Sequence, residues 1–133
     1  MKPPPIHGVL ETVVYCTGEQ LDDMKTFYSE TLGLRPVFDK HPTAFRVGAG
    51  VLLIFDADES AGQKDPPPHG ATGSVHACLV TSAEAYEGWK LYLPSRGIAI
   101  EREMQWPSGP SSFYFKDPGG NLLEIANGDL WPS

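Results

Sequence analysis

The sequence lacks three features that would point to particular partners or compartments. It has no apolar run near the roughly 20 residues that a membrane-spanning helix needs, so no membrane partner is expected. It has no cluster of lysine or arginine, and its net charge of -7 argues against a nucleic-acid partner. Prolines occupy the start, MKPPPIHG, where a signal peptide would need apolar residues, so we expect a cytoplasmic protein.

Cysteine is also scarce. Cys16 and Cys78 are the only two in the chain, and they form no C-x-x-C motif. Because both fall within strand-like apolar runs, the sequence predicts buried, reduced thiols and not a disulfide or a redox motif.

What the chain does have is the composition of a globular protein. Hydrophobic residues make up 41% and aromatic residues 11% of its 133 positions. A chain of this length and composition can bury a core without disulfides or a structural metal. We therefore expect one folded domain over residues 1–133.

The same order of elements occurs twice along the chain. Strand-like runs begin at Glu11 and at His76, and both are rich in β-forming residues. An apolar set with helical spacing follows each run at the same distance, and Gly33 and Gly97 stand where the two helices should end. The matching helical positions are Leu21, Met24, Phe27 and Tyr28 in the first half and Tyr86, Trp89, Tyr92 and Leu93 in the second.

The later part of each half matches as well. Gly50 and Gly120 follow an aromatic residue and a cation at the same spacing, and this alignment places Ile54 opposite Glu124. The predicted fold class is α+β, with two βαβββ modules at 8–56 and 73–127. Residues 57–72 contain three prolines and no hydrophobic period, so they are predicted to be a linker or mobile flap. The predicted strands are 9–16, 34–39, 43–48 and 51–56, then 74–80, 98–105, 111–116 and 121–126.

Glu11, His76 and Glu124 are lone metal-capable groups inside apolar, strand-like runs. Burying such a group unpaired costs about 1–3 kcal/mol or more, which suggests that the three share a partner. Alternation along the strands would bring them to one concave side if the two modules lie side by side. Two carboxylates and an imidazole are plausible ligands for a divalent first-row cation. The alternative is three unrelated residues, each satisfied by water or by a local hydrogen bond.

Together these features resemble the vicinal oxygen chelate superfamily. The resemblance rests on the duplicated βαβββ unit, the L-E-T-x-x-Y start, the central G-S-V-H-A and the terminal F-K-D-P-G-G-N-L-L-E-I, and it covers about residues 8 to 127. It implies that the two modules form a curved mixed sheet around a cup, with a metal held by Glu11, His76 and Glu124. Ile54 occupies the position of a frequent fourth ligand and cannot coordinate.

The superfamily includes glyoxalase I, extradiol dioxygenases, fosfomycin-modifying enzymes and metal-free bleomycin-binding proteins. The resemblance therefore implies a metal-dependent enzyme acting on a small molecule that chelates Mn, Zn, Ni or Fe through adjacent oxygens. Glu11 or Glu124 could be the base of glyoxalase-like isomerase or lyase chemistry, which we rank above extradiol-type dioxygenation because the ligand set departs from the usual iron triad. The missing fourth ligand weakens an assignment to glyoxalase I itself. The alternative function is metal-free small-molecule binding of the bleomycin-resistance type.

Further residues are assigned to the substrate side of the cup. Arg46 could hold a substrate carboxylate or phosphonate, although a solvated charge on an outer face is at least an equal interpretation. Tyr15, Ile54 and Phe113 complete the predicted substrate-binding set. His69 could sit on a lid over the cup, but an exposed loop histidine is the favoured interpretation.

Two remaining features are given structural roles. Trp106 and Trp131 are assigned to packing or dimer contacts, and the resemblance implies a homodimer. The run from Lys116 to Gly120 is predicted to be a β-turn, with its glycines explained by positive φ alone.

Overall fold

The computed structural model describes residues 2–38 and 43–131. The first module contains strands β1 (Glu11–Cys16), β2 (Arg35–Pro36), β3 (Ala44–Val47) and β4 (Gly50–Asp56). Its helical segment runs through a 3-10 turn (Gly18–Gln20), helix α1 (Leu21–Thr26) and a π-helical turn (Phe27–Thr31). Helix α2 (Ala57–Ala61) follows, and the second module contains β5 (His76–Val80), α3 (Ala83–Ser95), β6 (Arg102–Gln105), β7 (Ser111–Lys116) and β8 (Leu122–Ala126).

Local signals set the ends of the two helical segments. Thr17 and Gln20 form a capping box at the first, and the Ser82 side chain accepts a hydrogen bond from the Ala85 amide at the second. Gly33 and Gly97 have φ of 69° and 79°, so both adopt the left-handed conformation expected after a helix end.

The strands form two mixed, four-stranded sheets. Their orders are β1-β4-β3-β2 and β5-β8-β7-β6, with β1 parallel to β4, β5 parallel to β8, and the other pairs antiparallel. The predicted α+β fold of two βαβββ modules is therefore confirmed. Two strands are much shorter than predicted, since β2 covers only Arg35–Pro36 and β6 begins at Arg102, whereas the ends of the other strands lie within two residues of the predicted ones.

The predicted linker contains one element that the sequence pattern missed. Ala57–Ala61 is helix α2, and the Asp56 carboxylate caps it by accepting hydrogen bonds from the Asp58 and Glu59 amides at 3.0 and 3.3 Å. The segment has no apolar period because it is only five residues long. Side-chain capping therefore starts the helix where hydrophobic spacing gives no signal.

Each sheet buries one face beneath the helices. Val14, Ile54, Phe45, Phe113 and Leu123 are core residues of these buried faces. We call the opposite side of each sheet its open face. The open face of the first sheet carries Glu11, Val13, Tyr15, Arg35, Ala44, Arg46, Val51, Leu53 and Phe55, and that of the second carries His76, Cys78, Val80, Arg102, Met104, Ser112, Tyr114, Lys116, Leu122, Glu124 and Ala126.

A buried polar cluster joins the two modules. Asp117 accepts a hydrogen bond of 2.7 Å from the Tyr28 hydroxyl, and it also accepts from the amides of Gly119 and Asn121. The Asn121 side-chain amide donates to the Tyr15 carbonyl at 2.9 Å. Gly120 has the predicted positive φ, 85°, whereas Gly119 does not. The prediction is wrong for Gly119, where a Cβ would lie 3.0 Å from the Tyr15 carbonyl oxygen, so close packing is the reason for that glycine. The Asp-Pro-Gly-Gly-Asn segment is thus more than a turn, because its polar side chains connect the second module to the π-helical turn and to β1 of the first.

The pKa of Tyr28 is raised, first by burial and then by the neighbouring Asp117 carboxylate. Its hydroxyl therefore stays protonated and continues to donate to Asp117. Of the two thiols, Cys16 is buried as predicted, whereas Cys78 is exposed on β5. None of the helices in residues 2–38 and 43–131 is long and apolar enough to cross a membrane.

Candidate functional site

His76 and Glu124 meet on the open face of the second sheet. β5 and β8 are parallel neighbours in which Cys78 stands opposite Glu124, so His76 is one step away on the same face. The Nε2 atom of His76 lies 3.2 Å from Oε1 of Glu124. The imidazole is about half exposed while the carboxylate is only 5% exposed, so a buried acid faces an accessible ring.

The hydrogen bond made by Nδ1 of His76 determines whether Nε2 carries a hydrogen or a lone pair. Nδ1 of His76 lies 2.9 Å from the Leu122 carbonyl oxygen, and a carbonyl can only accept, so Nδ1 carries a hydrogen. In the neutral ring Nε2 therefore presents a lone pair. That lone pair faces a carboxylate oxygen, and two acceptors at this distance repel unless a proton or a metal cation lies between them.

The second oxygen of Glu124 is held by a directional chain. The Trp106 indole N–H, which can only donate, donates to Ser112 Oγ at 2.8 Å. The Ser112 hydroxyl donates in turn to Glu124 Oε2 at 2.5 Å. Glu124 Oε1 is thereby left to face His76. Sequence reasoning missed this role of Ser112 and gave Trp106 only a packing or dimer role, because nothing in the local sequence shows that the two side chains meet.

Cys78 and Tyr114 border the same carboxylate and are held in their neutral forms. Cys78 is accessible to solvent but its thiol lies beside Glu124, and partial desolvation followed by the Glu124 carboxylate raises the pKa of this thiol to about 12. Desolvation and then Glu124 likewise raise the pKa of Tyr114. Both groups are therefore neutral near pH 7.

Glu11 does not complete a three-ligand set within one chain. Among the residues that the structure describes, no group of three His, Cys, Asp or Glu side chains could hold a metal. Glu11 and His76 do border one cleft of about 330 Å³. Of the three predicted ligands, the structure brings His76 and Glu124 into contact, whereas Glu11 lies on the first sheet at the same cleft. Their role as metal ligands stays a prediction.

Tyr15 lies on the open face of the first sheet, as predicted, and it has a partner. Its hydroxyl and His69 Nδ1 share a hydrogen bond of 2.7 Å, and the His69 ring packs edge-on against Phe55 with centroids 4.6 Å apart. The His69 amide also donates to the Ser60 carbonyl of α2 at 3.2 Å. The favoured interpretation of His69 as an exposed loop residue is wrong, because this segment folds back onto the sheet.

Two predicted substrate-binding residues are misplaced. Ile54 pairs with Val14 and is 3% exposed, and Phe113 is fully buried against Tyr86. Both therefore belong to the buried faces. The register makes Leu53, not Ile54, the counterpart of Glu124.

The sequence alignment selected Ile54 in place of Leu53 because the β3–β4 and β7–β8 hairpins differ in length. In the first module Val47 pairs with Gly50 across a two-residue turn, whereas in the second Lys116 pairs with Leu122 across a longer one. Aligning the glycines therefore shifts the strand by one residue, which moves every side chain to the other face.

Arg46 lies on the open face of the first sheet and is exposed. It pairs with Val51, which in turn pairs with Glu11, so the three residues form one row across the sheet. This position is compatible with the predicted role of Arg46 toward a substrate anion.

Comparison with known proteins finds a matching family model and a relative of similar sequence. A family model described as Glyoxalase/Bleomycin resistance protein/Dioxygenase superfamily matches residues 12–125. The glutathione transferase FosA of Serratia marcescens is 30% identical over 105 residues, which cover 79% of this chain and 71% of FosA.

Solved structures agree with the fold. The crystal structure of lactoylglutathione lyase from Agrobacterium tumefaciens is 33% identical, with a TM-score of 0.84 over 96% of this chain and 98% of that one. A virulence protein from Salmonella typhimurium is 26% identical, with a TM-score of 0.71 over 92% of this chain and 98% of that one.

Proposed function

Because the chain belongs to the Glyoxalase/Bleomycin resistance protein/Dioxygenase superfamily, we propose that it is a metal-dependent enzyme acting on a small molecule with two adjacent oxygens. The observation that carries this proposal is the contact of His76 Nε2 with Glu124 Oε1 at 3.2 Å, with the ring hydrogen placed on Nδ1. A lone pair and a carboxylate oxygen held this close are arranged to share a cation.

His76 and Glu124 supply two donors, and we assign the third to Glu11 of a second copy. In support, Glu11 is exposed on an open face and has no hydrogen-bond or ion-pair partner among the described residues. Large apolar side chains beside it, Val9 and Leu10, are also exposed, as is Val80 on the open face of the second sheet. A homodimer that places one copy's first sheet against the other's second sheet would cover these residues and enclose a cup.

A bound divalent ion would act as a Lewis acid that stabilises negative charge on substrate oxygens. The chain's own residues would orient the substrate and move its proton. Glu124 has Oε1 directed at the cation position and Oε2 accepting from Ser112, so neither oxygen is free. This favours Glu11, which keeps an unengaged carboxylate oxygen, as the group that accepts the proton.

Tyr15 and His69 would form a polar wall of the cup. Whichever of the two donates in their shared hydrogen bond, the pair keeps a further polar hydrogen, on His69 Nε2 or on the Tyr15 hydroxyl. That hydrogen is available to a substrate oxygen.

The proposed ligand set and the relatives support a ranking of the possible reaction classes. One imidazole and two carboxylates suit Mn²⁺, Zn²⁺, Ni²⁺ or Fe²⁺ and leave coordination positions for two substrate oxygens. A lactoylglutathione lyase and a glutathione transferase are among the relatives, and both names contain glutathione. We therefore rank lyase, isomerase or transferase chemistry on a thiol adduct above ring-cleaving dioxygenation.

One observation favours a second candidate function, metal-free binding of a small molecule as in bleomycin-resistance proteins. The described part of a single chain contains no three-residue group able to hold a metal. In that case a proton on His76 Nε2 would satisfy the contact with Glu124, and the open faces would simply enclose the ligand.

Elemental analysis of protein purified without chelator separates the two candidates. The enzyme proposal expects near-stoichiometric divalent metal and turnover of a methylglyoxal–thiol adduct, a catechol or fosfomycin after reconstitution. Protein that carries no metal and acquires none from Mn²⁺, Zn²⁺, Ni²⁺ or anaerobic Fe²⁺ would overturn it in favour of the binder.

A further inference from the structure

Arg35 and Arg46 stand directly opposite each other on β2 and β3. Residues paired in this way point to the same side of the sheet with Cβ atoms about 5 Å apart. The register places both on the open face of the first sheet, and both are exposed. Two of the four arginines in the chain are therefore neighbours on one surface.

This arrangement has an electrostatic cost, and none of the described residues compensates it. Like charges directly opposite each other destabilise an antiparallel pair. Neither guanidinium forms an ion pair or a hydrogen bond with any residue in 2–38 or 43–131, although the chain carries 17 acidic residues. In the part of the chain that the structure describes, the lysines that form ion pairs with carboxylates are Lys90 and Lys116, and both lie in the second module.

The pair also lies in line with Glu11. Arg35, Arg46, Val51 and Glu11 form one row across the first sheet, on consecutive strands. At a strand spacing of about 4.8 Å, the Arg46 backbone is on the order of 10 Å from that of Glu11. Long arginine side chains at that distance can reach the far end of a small molecule bound beside Glu11.

We propose that Arg35 and Arg46 together bind an oxyanion, a carboxylate, phosphate or phosphonate group, at the end of the substrate remote from the metal. The placement beside the metal rests on the function proposed above, whereas the anion site itself does not. Two guanidinium groups present several donors in planes suited to such oxygens, and an anion between them removes their mutual repulsion. Substrates of this protein are accordingly anionic.

The test uses inorganic phosphate and methylphosphonate as probes at constant ionic strength. Side-chain Nε–Hε signals of the arginines are followed by NMR during the titration, and affinities are compared among wild type, Arg35→Gln, Arg46→Gln and Arg96→Gln. Arg96 lies at the end of α3 and provides a control of equal charge. We expect saturable shifts at Arg35 and Arg46, a loss of affinity of about tenfold in either variant, and no loss in Arg96→Gln.

Thermal unfolding distinguishes binding from a structural role. Removing one of two opposed cations should leave the Tm unchanged or slightly higher, whereas a structural role predicts a lower Tm. Absence of saturable phosphate binding, or equal affinity in Arg96→Gln and Arg46→Gln, would overturn the proposal. So would a change of oligomeric state in Arg46→Gln with unchanged phosphate affinity, because the arginines would then pair with carboxylates of a second copy.

Metal titration of the same proteins keeps this proposal separate from the proposed enzyme function. Arg46→Gln should bind divalent metal as wild type does, and His76→Ala should keep its phosphate affinity. A protein that binds phosphate at these arginines but no metal would overturn the metal proposal and leave the anion site standing.

Discussion

Two hydrogen bonds with a fixed donor order orient the Glu124 carboxylate, because Trp106 donates to Ser112 and Ser112 donates to Glu124 Oε2. The other carboxylate oxygen, Oε1, therefore faces His76. The indole can only donate, so the single Ser112 hydrogen goes to the carboxylate. Such outer hydrogen bonds commonly change metal affinity 10- to 100-fold, in order of magnitude, when they are removed.

We expect Ser112→Ala to weaken Zn²⁺ binding about tenfold, because Glu124 loses the donor that fixes its orientation. Ser112→Thr retains a hydroxyl and should restore most of the affinity. Ser111→Ala, on the same strand with its side chain on the other face, is the matched control. Calorimetric titration gives the affinities, and equal values for Ser112→Ala and wild type would refute the orienting role.

Asp117 is the residue whose loss should most damage stability. It is 5% exposed and accepts hydrogen bonds from Tyr28 and from the amides of Gly119 and Asn121. Asp117→Ala leaves these donors buried without an acceptor, so we expect the free energy of unfolding to fall by about 3 kcal/mol.

Urea unfolding measures this change, with exposed Asp22→Ala as the control expected to shift stability by less than about 0.5 kcal/mol. If both variants unfolded at the same urea concentration, Asp117 would not join the modules as described.

Among individual residues, the sequence identifies some members of the site and misses those whose contacts depend on strand pairing. His76 and Glu124 are recognisable because a polar group interrupts an apolar, strand-like run. Ser112 and Trp106 are not, because only the pairing of β7 with β8 shows which groups they approach. Ile54 was assigned to the site because glycine positions do not fix the register of a hairpin.

The segment between β4 and β5 was predicted to be a linker, but it contains a helix and packs against the first sheet. Asp56 caps α2, and the chain beyond it returns to the first sheet, where His69 contacts Tyr15 and Phe55. Sequence reasoning predicted a flap because three prolines and a lack of period are typical of loops. Contacts made by a single histidine carry no periodic signal, so only the structure shows where the segment lies.

We expect His69→Ala to release this segment without unfolding the protein. Amide hydrogen exchange in residues 62–75 should increase, because the variant loses the hydrogen bond to Tyr15 and the ring contact with Phe55. Exchange in α3 should stay unchanged, and His7→Ala serves as the control. Unaltered exchange in 62–75 would mean that the backbone contact with Ser60 holds the segment by itself.

For the molecule as a whole, the duplicated architecture was predictable and the assembly of the site was not. The repeated order of strands and helices is visible in sequence periodicity, and two four-stranded sheets follow from it. Alternation also placed Glu11, His76 and Glu124 on the open faces correctly. It could not show that Glu11 and the His76–Glu124 pair fail to converge within one chain, because sequence patterns carry no information on how the two sheets are oriented.

Mixing two inactive variants tests whether a second copy completes the site. Glu11→Gln and His76→Ala should each lose metal binding alone. After they are unfolded and refolded together, random pairing should restore about a quarter of the wild-type sites, because each mixed dimer contains one intact site. Metal content after gel filtration measures the recovery. No recovery, despite dimers of mixed composition, would show that Glu11 acts within its own chain or not at all.

The central claim is that His76 and Glu124 share a divalent cation, and calorimetric titration of chelator-treated protein with Mn²⁺ and Zn²⁺ tests it most directly. The account predicts saturable binding by wild type and by the control His7→Ala, and none by His76→Ala or Glu124→Gln. Binding of equal affinity in His76→Ala and wild type, or no binding by wild type, would contradict it.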